Sequence, residues 1–246
     1  MADSCGEKRA VKLPVTIGVL FYGDFPRAAD NFLSSLYDNT AESEFNLIIG
    51  ANEVGKKTRK LVETVRSSKK NVVKSVDSPT NILKYPMMRR MFYEDDGTTR
   101  DPAVSTDWLF WFDDDSYVTS SLWLPSAINY ISEHKCGMIG KKYFVRLSPG
   151  QVSWLEASKW WLGKPISSNS GSNKVHFATG GYWGIESKLF FGLDWPDRRL
   201  SHNGGDMSLG EALRQRGIGV GNRSDHVMIN KMPRRGISQK YPEIKK

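Results

Sequence analysis

Three consecutive aspartates, Asp113, Asp114 and Asp115, follow the apolar run Asp107-Trp-Leu-Phe-Trp-Phe112. Carboxylates this close repel one another, so a cation must offset them: a divalent metal, or a lysine or arginine. Alternate residues of an extended segment point the same way, so Asp113 and Asp115 share a face while Asp114 faces away. Such a pair suits Mn2+ or Mg2+ held jointly with the phosphates of a nucleotide. A solvated acidic turn is the plain alternative. Further on, Thr179-Gly180-Gly181-Tyr182 places paired glycines where a backbone passes close to something bulky, or where a strand bulges. In Gly204-Gly205-Asp206, the aspartate stands just ahead of a helix carrying Leu209, Ala212 and Leu213. It is placed to act as a general base or as a helix cap. Trp154, Trp160 and Trp161, with Lys159 and Lys164, form either a stacking platform for a sugar or nucleobase or a packed cap over the core.

These residues need a scaffold, and the periodicities supply one. Val15–Tyr22, Phe45–Gly50 and Val72–Val76 are predicted strands, and Asp107–Phe112, apolar on both faces, is a predicted central strand. Ala29, Phe32, Leu33 and Leu36 recur at helical spacing, as do Leu61, Val62 and Val65. Residues 81–94 read as a loop and helix, Leu122–Ser132 and Ser208–Arg216 as helices, and Gly137–Lys142 and Val175–Ile185 as strands. Gln151–Lys174 reads as irregular, with Ser167–Asn173 a mobile loop. Alternating strands and helices predict one α/β domain over residues 14–231, with a polar tail before it and a basic tail over 232–246. Ligands of such a sheet sit beyond the carboxyl ends of its strands.

The chain has 246 residues, a formal charge of +8, 39% hydrophobic and 11% aromatic residues, which excludes an intrinsically disordered polycation. No run is apolar enough to span a bilayer and the first residues lack a secretory core, so the expectation is an unsecreted protein of a bacterial or virus-infected cytoplasm. Two cysteines, Cys5 and Cys136, make no disulfide framework. The surplus of Lys and Arg favours polyanionic company.

Asp113-Asp114-Asp115, then Thr179-Gly180-Gly181-Tyr182, then Gly205-Asp206-x-x-Leu209-Gly210 resembles the nucleotide-sugar glycosyltransferases of the GT-A class. The last two motifs are closest to its fringe-like and β-1,3-galactosyltransferase-like branch. The resemblance runs from about Val15 to Ile229 and implies a Rossmann-like, mixed, mostly parallel sheet flanked by helices. It implies Asp113 and Asp115 on Mn2+ or Mg2+, with His226 as a third ligand where a structural histidine is the alternative. It implies donor contacts from Tyr22, Asp24, Lys84, Arg89, Asp113, Asp114, Gly180 and Gly181, the donor being a UDP-sugar such as UDP-glucose. Lys84, Arg89 and Arg90 read equally well as a solvated helix face. Asp206 would be the base of an inverting enzyme, and Tyr182 and Trp183 would join the three tryptophans at the acceptor.

Two other classes compete. A nucleotidyltransferase would carry a glycine-rich basic loop after the first strand, which Tyr22-Gly-Asp-Phe-Pro26 is not. A non-catalytic nucleic-acid-binding protein would leave the aspartates unexplained. The basic balance and the aromatic-basic segment make hydroxylated bases in DNA the favoured acceptor, with glycan or lipid-linked glycan next.

Overall fold

The computed structural model describes residues 11–166 and 174–229. The calls on residues 1–10, on the serine-rich loop 167–173 and on the basic tail lie outside them.

Strands β1 (Val15–Tyr22), β2 (Phe45–Asn52), β3 (Val72–Ser78) and β4 (Trp108–Asp113) alternate with helices α1 (Pro26–Asn39), α2 (Lys56–Ser68) and α3 (Lys84–Phe92). There follow β5 (Tyr117–Val118), α4 (Trp123–His134), β6 (Met138–Arg146), α5 (Pro149–Glu156), β7 (Lys174–Glu186), α6 (Ser187–Gly192), α7 (Gly205–Gln215), β8 (Val220–Asn222) and β9 (Val227–Met228). The main sheet has the order β3-β2-β1-β4-β7-β6-β8, and β5 pairs with β9 apart from it. All neighbours are parallel except around β7, which runs antiparallel to both β4 and β6. The mixed, mostly parallel α/β sheet is therefore the one expected.

One hydrophobic core lies on each face of the sheet. β1 and β4 contribute to both, which is why their sequences, Thr16 and the terminal Asp113 apart, are apolar throughout rather than alternating. Two glycines decide where α3 lies. A Cβ on Gly18 would stand 2.5 Å from the Phe92 ring, and one on Gly50 would stand 2.5 Å from Met91 Sδ. With hydrogen at both places, α3 beds directly onto β1 and β2, and its first residue, Lys84, is carried to the carboxyl ends of the strands.

The segment read as irregular begins inside α5. Ser148 Oγ accepts from the Gln151 amide and the Gln151 side chain accepts from the Ser148 amide, a reciprocal cap that starts the helix with Pro149 at its first position, where no amide donor is needed.

Candidate active site

β4 stops at Asp113, in register with Leu20 and two residues short of the end of β1, and β7 runs on past it. Between the pairs Gly140–Trp183 and Lys142–Ala178, β7 sets Thr179 to Tyr182 against Lys141 alone. The glycine pair thus occupies a break in the ladder at the carboxyl end of β4. Both readings of the glycines, bulge and close approach, meet at one place.

Lys84 enters from α3. Its ammonium lies 2.8 Å from Asp113 Oδ1 and 3.0 Å from Oδ2, and donates to the Gly180 carbonyl at 3.3 Å. Trp111 Nε1 also donates to Asp113 Oδ1, at 2.9 Å. The cation that the aspartates require is therefore, in part, Lys84. Burial alone would depress its pKa, but Asp113, Asp206 and Asp115 together hold it above the ordinary lysine value. The loop ahead of it is tightly tied: buried Asn52 donates to Asn81 at 3.0 Å and accepts from the Ile82 amide at 3.0 Å. Leu83 is held at φ 72°, a conformation that a branched side chain adopts only when its surroundings impose it.

Asp206 arrives in the first turn of α7. It faces Gly180, whose amide donates to it, and Tyr85 Oη donates to its Oδ1 at 3.4 Å. Burial pushes its carboxyl above the ordinary aspartate value; Asp113 adds to the rise, while Lys84 and the two hydrogen bonds oppose it. The amino ends of α3 and α7 meet because Gly205 has no side chain: a Cβ there would stand 2.2 Å from the Tyr85 ring. His202, depressed by burial and by Lys84, completes the surroundings. Tyr85 and His202 were not read from the sequence. No motif marks them, and they reach Asp206 and Asp113 only through tertiary folding.

A Cβ on Gly180 would lie 2.5 Å from Asp206 Oδ2. G180A is expected to displace that carboxylate and to cost about 1–3 kcal/mol, the usual penalty of overpacking. Thermal melting and the rate of whatever reaction the site performs check it together. An unchanged rate would show that Asp206 does not need its present position.

The other expected residues divide. Asp113 and Asp115 are half-exposed and Asp114 is 4% exposed, so the alternation holds. Tyr22 packs edge-on against Phe25, and Asp24 lies against Gly55, where the loops after β1 and β2 meet. Arg89 requires a correction. Its guanidinium binds the Asp194 carboxylate and the carbonyls of Gly97, Asp194 and Pro196, so it fastens the 194–197 loop to α3. Arg90 is solvated, as the helix-face alternative had it. Tyr182 and Trp183, each 1% exposed, and Trp160, 3% exposed, are core residues with no face for an acceptor. Trp154 and Trp161 pack on the same core, and Arg199 covers the Trp154 ring at 4.1 Å. The tryptophans form a cap. His226 lines a surface cavity of about 490 Å³ with Leu122, Tyr130 and Arg223. Among the described residues no three His, Cys, Asp or Glu side chains are set to hold a metal ion.

No family model and no curated protein matches the chain. Solved structures do. A mannosyltransferase, PcManGT from Pyrobaculum calidifontis, in complex with GDP-Man and Mn2+, superposes with TM-score 0.59 and 14% identity over 92% of this chain and 59% of that one. The fold is GT-A. S. aureus TarS 1-349 in complex with UDP follows at TM-score 0.54 and 14% identity, over 87% of this chain and 60% of that one. GalNAc-T7 with UDP, GalNAc and Mn2+ gives TM-score 0.57 and 11% identity, over 89% and 42%. The chain spans about 60% or less of the length of these structures. At such identities the GT-A likeness concerns architecture, and chemistry must be argued from the residues.

Proposed function

We propose that the protein is a metal-dependent GT-A glycosyltransferase that moves a hexose from a nucleoside-diphosphate sugar to a hydroxyl with inversion. The observation that carries this reading is the convergence of Asp113, Lys84, Gly180 and Asp206 beyond the carboxyl end of β4, where ligands of such sheets bind. The neighbours bound to GDP-Man or UDP support the donor class, and the two that contain Mn2+ support the ion.

Asp113 and Asp115, half-exposed on one side, offer carboxylate oxygens to a hard divalent ion, for which Lys84 would have to turn from Asp113 to the phosphates. Fewer than three protein ligands suffice when phosphates complete the shell. A bound Mn2+ or Mg2+ would supply Lewis-acid stabilisation to the departing diphosphate. Lys84 adds a fixed positive charge beside the phosphates. Tyr22 and Asp24 flank the nucleotide where the first two loops meet. The Gly180-Gly181 backbone lets a sugar approach closely. Asp206 takes the proton from the attacking hydroxyl, and its raised pKa makes it a stronger base than an exposed aspartate.

The favoured acceptor is a hydroxylated base in DNA, supported by the +8 charge. The test is release of nucleoside diphosphate from a labelled nucleotide sugar. Excess chelator is expected to lower it at least about tenfold, and Mn2+ or Mg2+ to restore it, a Lewis acid contributing several kcal/mol to such a step. Full activity in chelator would overturn the metal assignment.

A further inference from the structure

The outer half of β6 and the first half of β7 form a ribbon with a distinct surface. β8 pairs with β6 only at Met138–Gly140, and β4 pairs with β7 only at Tyr182–Glu186. Residues 142–146 and 174–178 are therefore paired only with each other within the main sheet. One face, with Val145 and Val175, packs on the core. The other presents Lys142, Phe144 and Arg146 on β6, and Lys174 and His176 on β7. Phe144 is 57% exposed, with Lys174 Nζ 4.9 Å from its ring centre and His176 beside it. Lys141, Lys142, Arg146 and Lys174 bring four positive charges to the ribbon, and neither segment contains a carboxylate. His176 is depressed by burial and by Lys142 and Lys174, as expected in a positive field.

We propose that this ribbon face docks duplex DNA in its major groove. The groove, about 12 Å wide, admits a two-stranded β-ribbon. Lys142 and Arg146 lie about 13 Å apart along one strand, so they can reach separate phosphates of the groove wall. The C5 substituent of a pyrimidine projects into this groove, so a hydroxyl carried there lies on the side that the ribbon faces. β7 leads from His176 to Gly180, which contacts Asp206, in four residues, about 13 Å of strand, while α7 itself packs on the other face of the ribbon, against Phe177. Reaction at a paired base then requires that base to leave the stack. An anionic bilayer is the competing occupant, but the two lysine-flanked aromatics, Tyr143 and Phe144, project to opposite faces of the ribbon and cannot enter one flat interface together. The inference rests on the DNA acceptor proposed above and not on the transfer chemistry.

The experiment is fluorescence anisotropy of a labelled 20-base-pair duplex at 50 and 200 mM salt. Wild type is compared with K142A/R146A/K174A and with K56A/K57A/K60A, which removes equal charge from α2. The ribbon variant is expected to bind at least about tenfold more weakly at 50 mM, with a salt slope reduced by about 3. The α2 variant is expected to stay within about twofold of wild type. Nucleoside diphosphate release by hydrolysis of the donor, measured without DNA, is expected to be unchanged in both, so failure of docking and failure of the transferase reading separate. No duplex binding by wild type at 50 mM, or equal losses in both variants, would overturn the proposal. So would wild-type DNA binding by the ribbon variant, including the case where it has lost binding to vesicles of 30% phosphatidylserine in phosphatidylcholine.

Discussion

The D206N chain is expected to lose roughly two to four orders of magnitude in transfer while still binding nucleoside diphosphate, the scale of losing a general base. A helix cap predicts the opposite, because asparagine caps about as well as aspartate. Stability provides a second readout. Burial raises the folded-state pKa of Asp206 above that of the unfolded chain. The group therefore favours the folded state below the ordinary carboxylate range, and that contribution is lost as pH rises through the folded value. At neutral pH the charge is unfavourable, so D206N is expected to melt higher than wild type, by about 2–4 °C per kcal/mol relieved. By the same sign, the acid limb of kcat/KM lies above the usual aspartate range in wild type. Transfer by D206N at the wild-type rate would decide for the cap.

K84M is the second large effect. Lys84 is 12% exposed and Asp113 29%, and each is the other's nearest opposite charge. Removing one member of a buried pair leaves the other charge uncompensated, at about 3 kcal/mol here, the lower end of the usual range because Asp113 keeps some solvent. A chain of this size should melt about 6–12 °C lower. Adding D113N should recover part of the loss, because Asp113 is then no longer stranded while Asp206 and Asp115 still lack the ammonium. The interaction energy from the double-mutant cycle measures the pair. If K84M melts like wild type, the ammonium does not hold Asp113 in solution.

What was legible in the sequence was what local pattern determines. The apolar runs of β1, β2 and β4, the spacing of Phe32, Leu33 and Leu36, and the aspartate triplet each carry their meaning within a few residues. The reciprocal cap of Ser148 and Gln151 was equally local, and Pro149 at the first helical position supports it; only Gly150 speaks against a helix there. Tyr182 and Trp183 failed for another reason. Successive residues of a strand face opposite sides, and in β7 both sides are covered, so two rings that look available are both buried. Arg89 reads as a solvated or phosphate-binding arginine until a loop more than a hundred residues later closes around it. Tyr85 and His202 belong to the same category.

The strand order also fixes a sequence of events during synthesis. β3, β2, β1 and β4 are contiguous in the sheet and complete by residue 113, so this half of the protein is available to assemble as the chain emerges. The edge of β4 must then wait for Tyr182–Glu186, which arrive after a further 69 residues, counted from Asp113 to Tyr182. At about 5–20 residues per second that interval is roughly 3–14 s. Throughout it, the strand Trp108-Leu-Phe-Trp-Phe112 offers unpaired amides and carbonyls to any passing strand, the condition under which nascent chains aggregate or recruit chaperones. Lys84 and Asp113 both lie in the early half, so the charge at the growing edge is neutralised before Asp206 has been made.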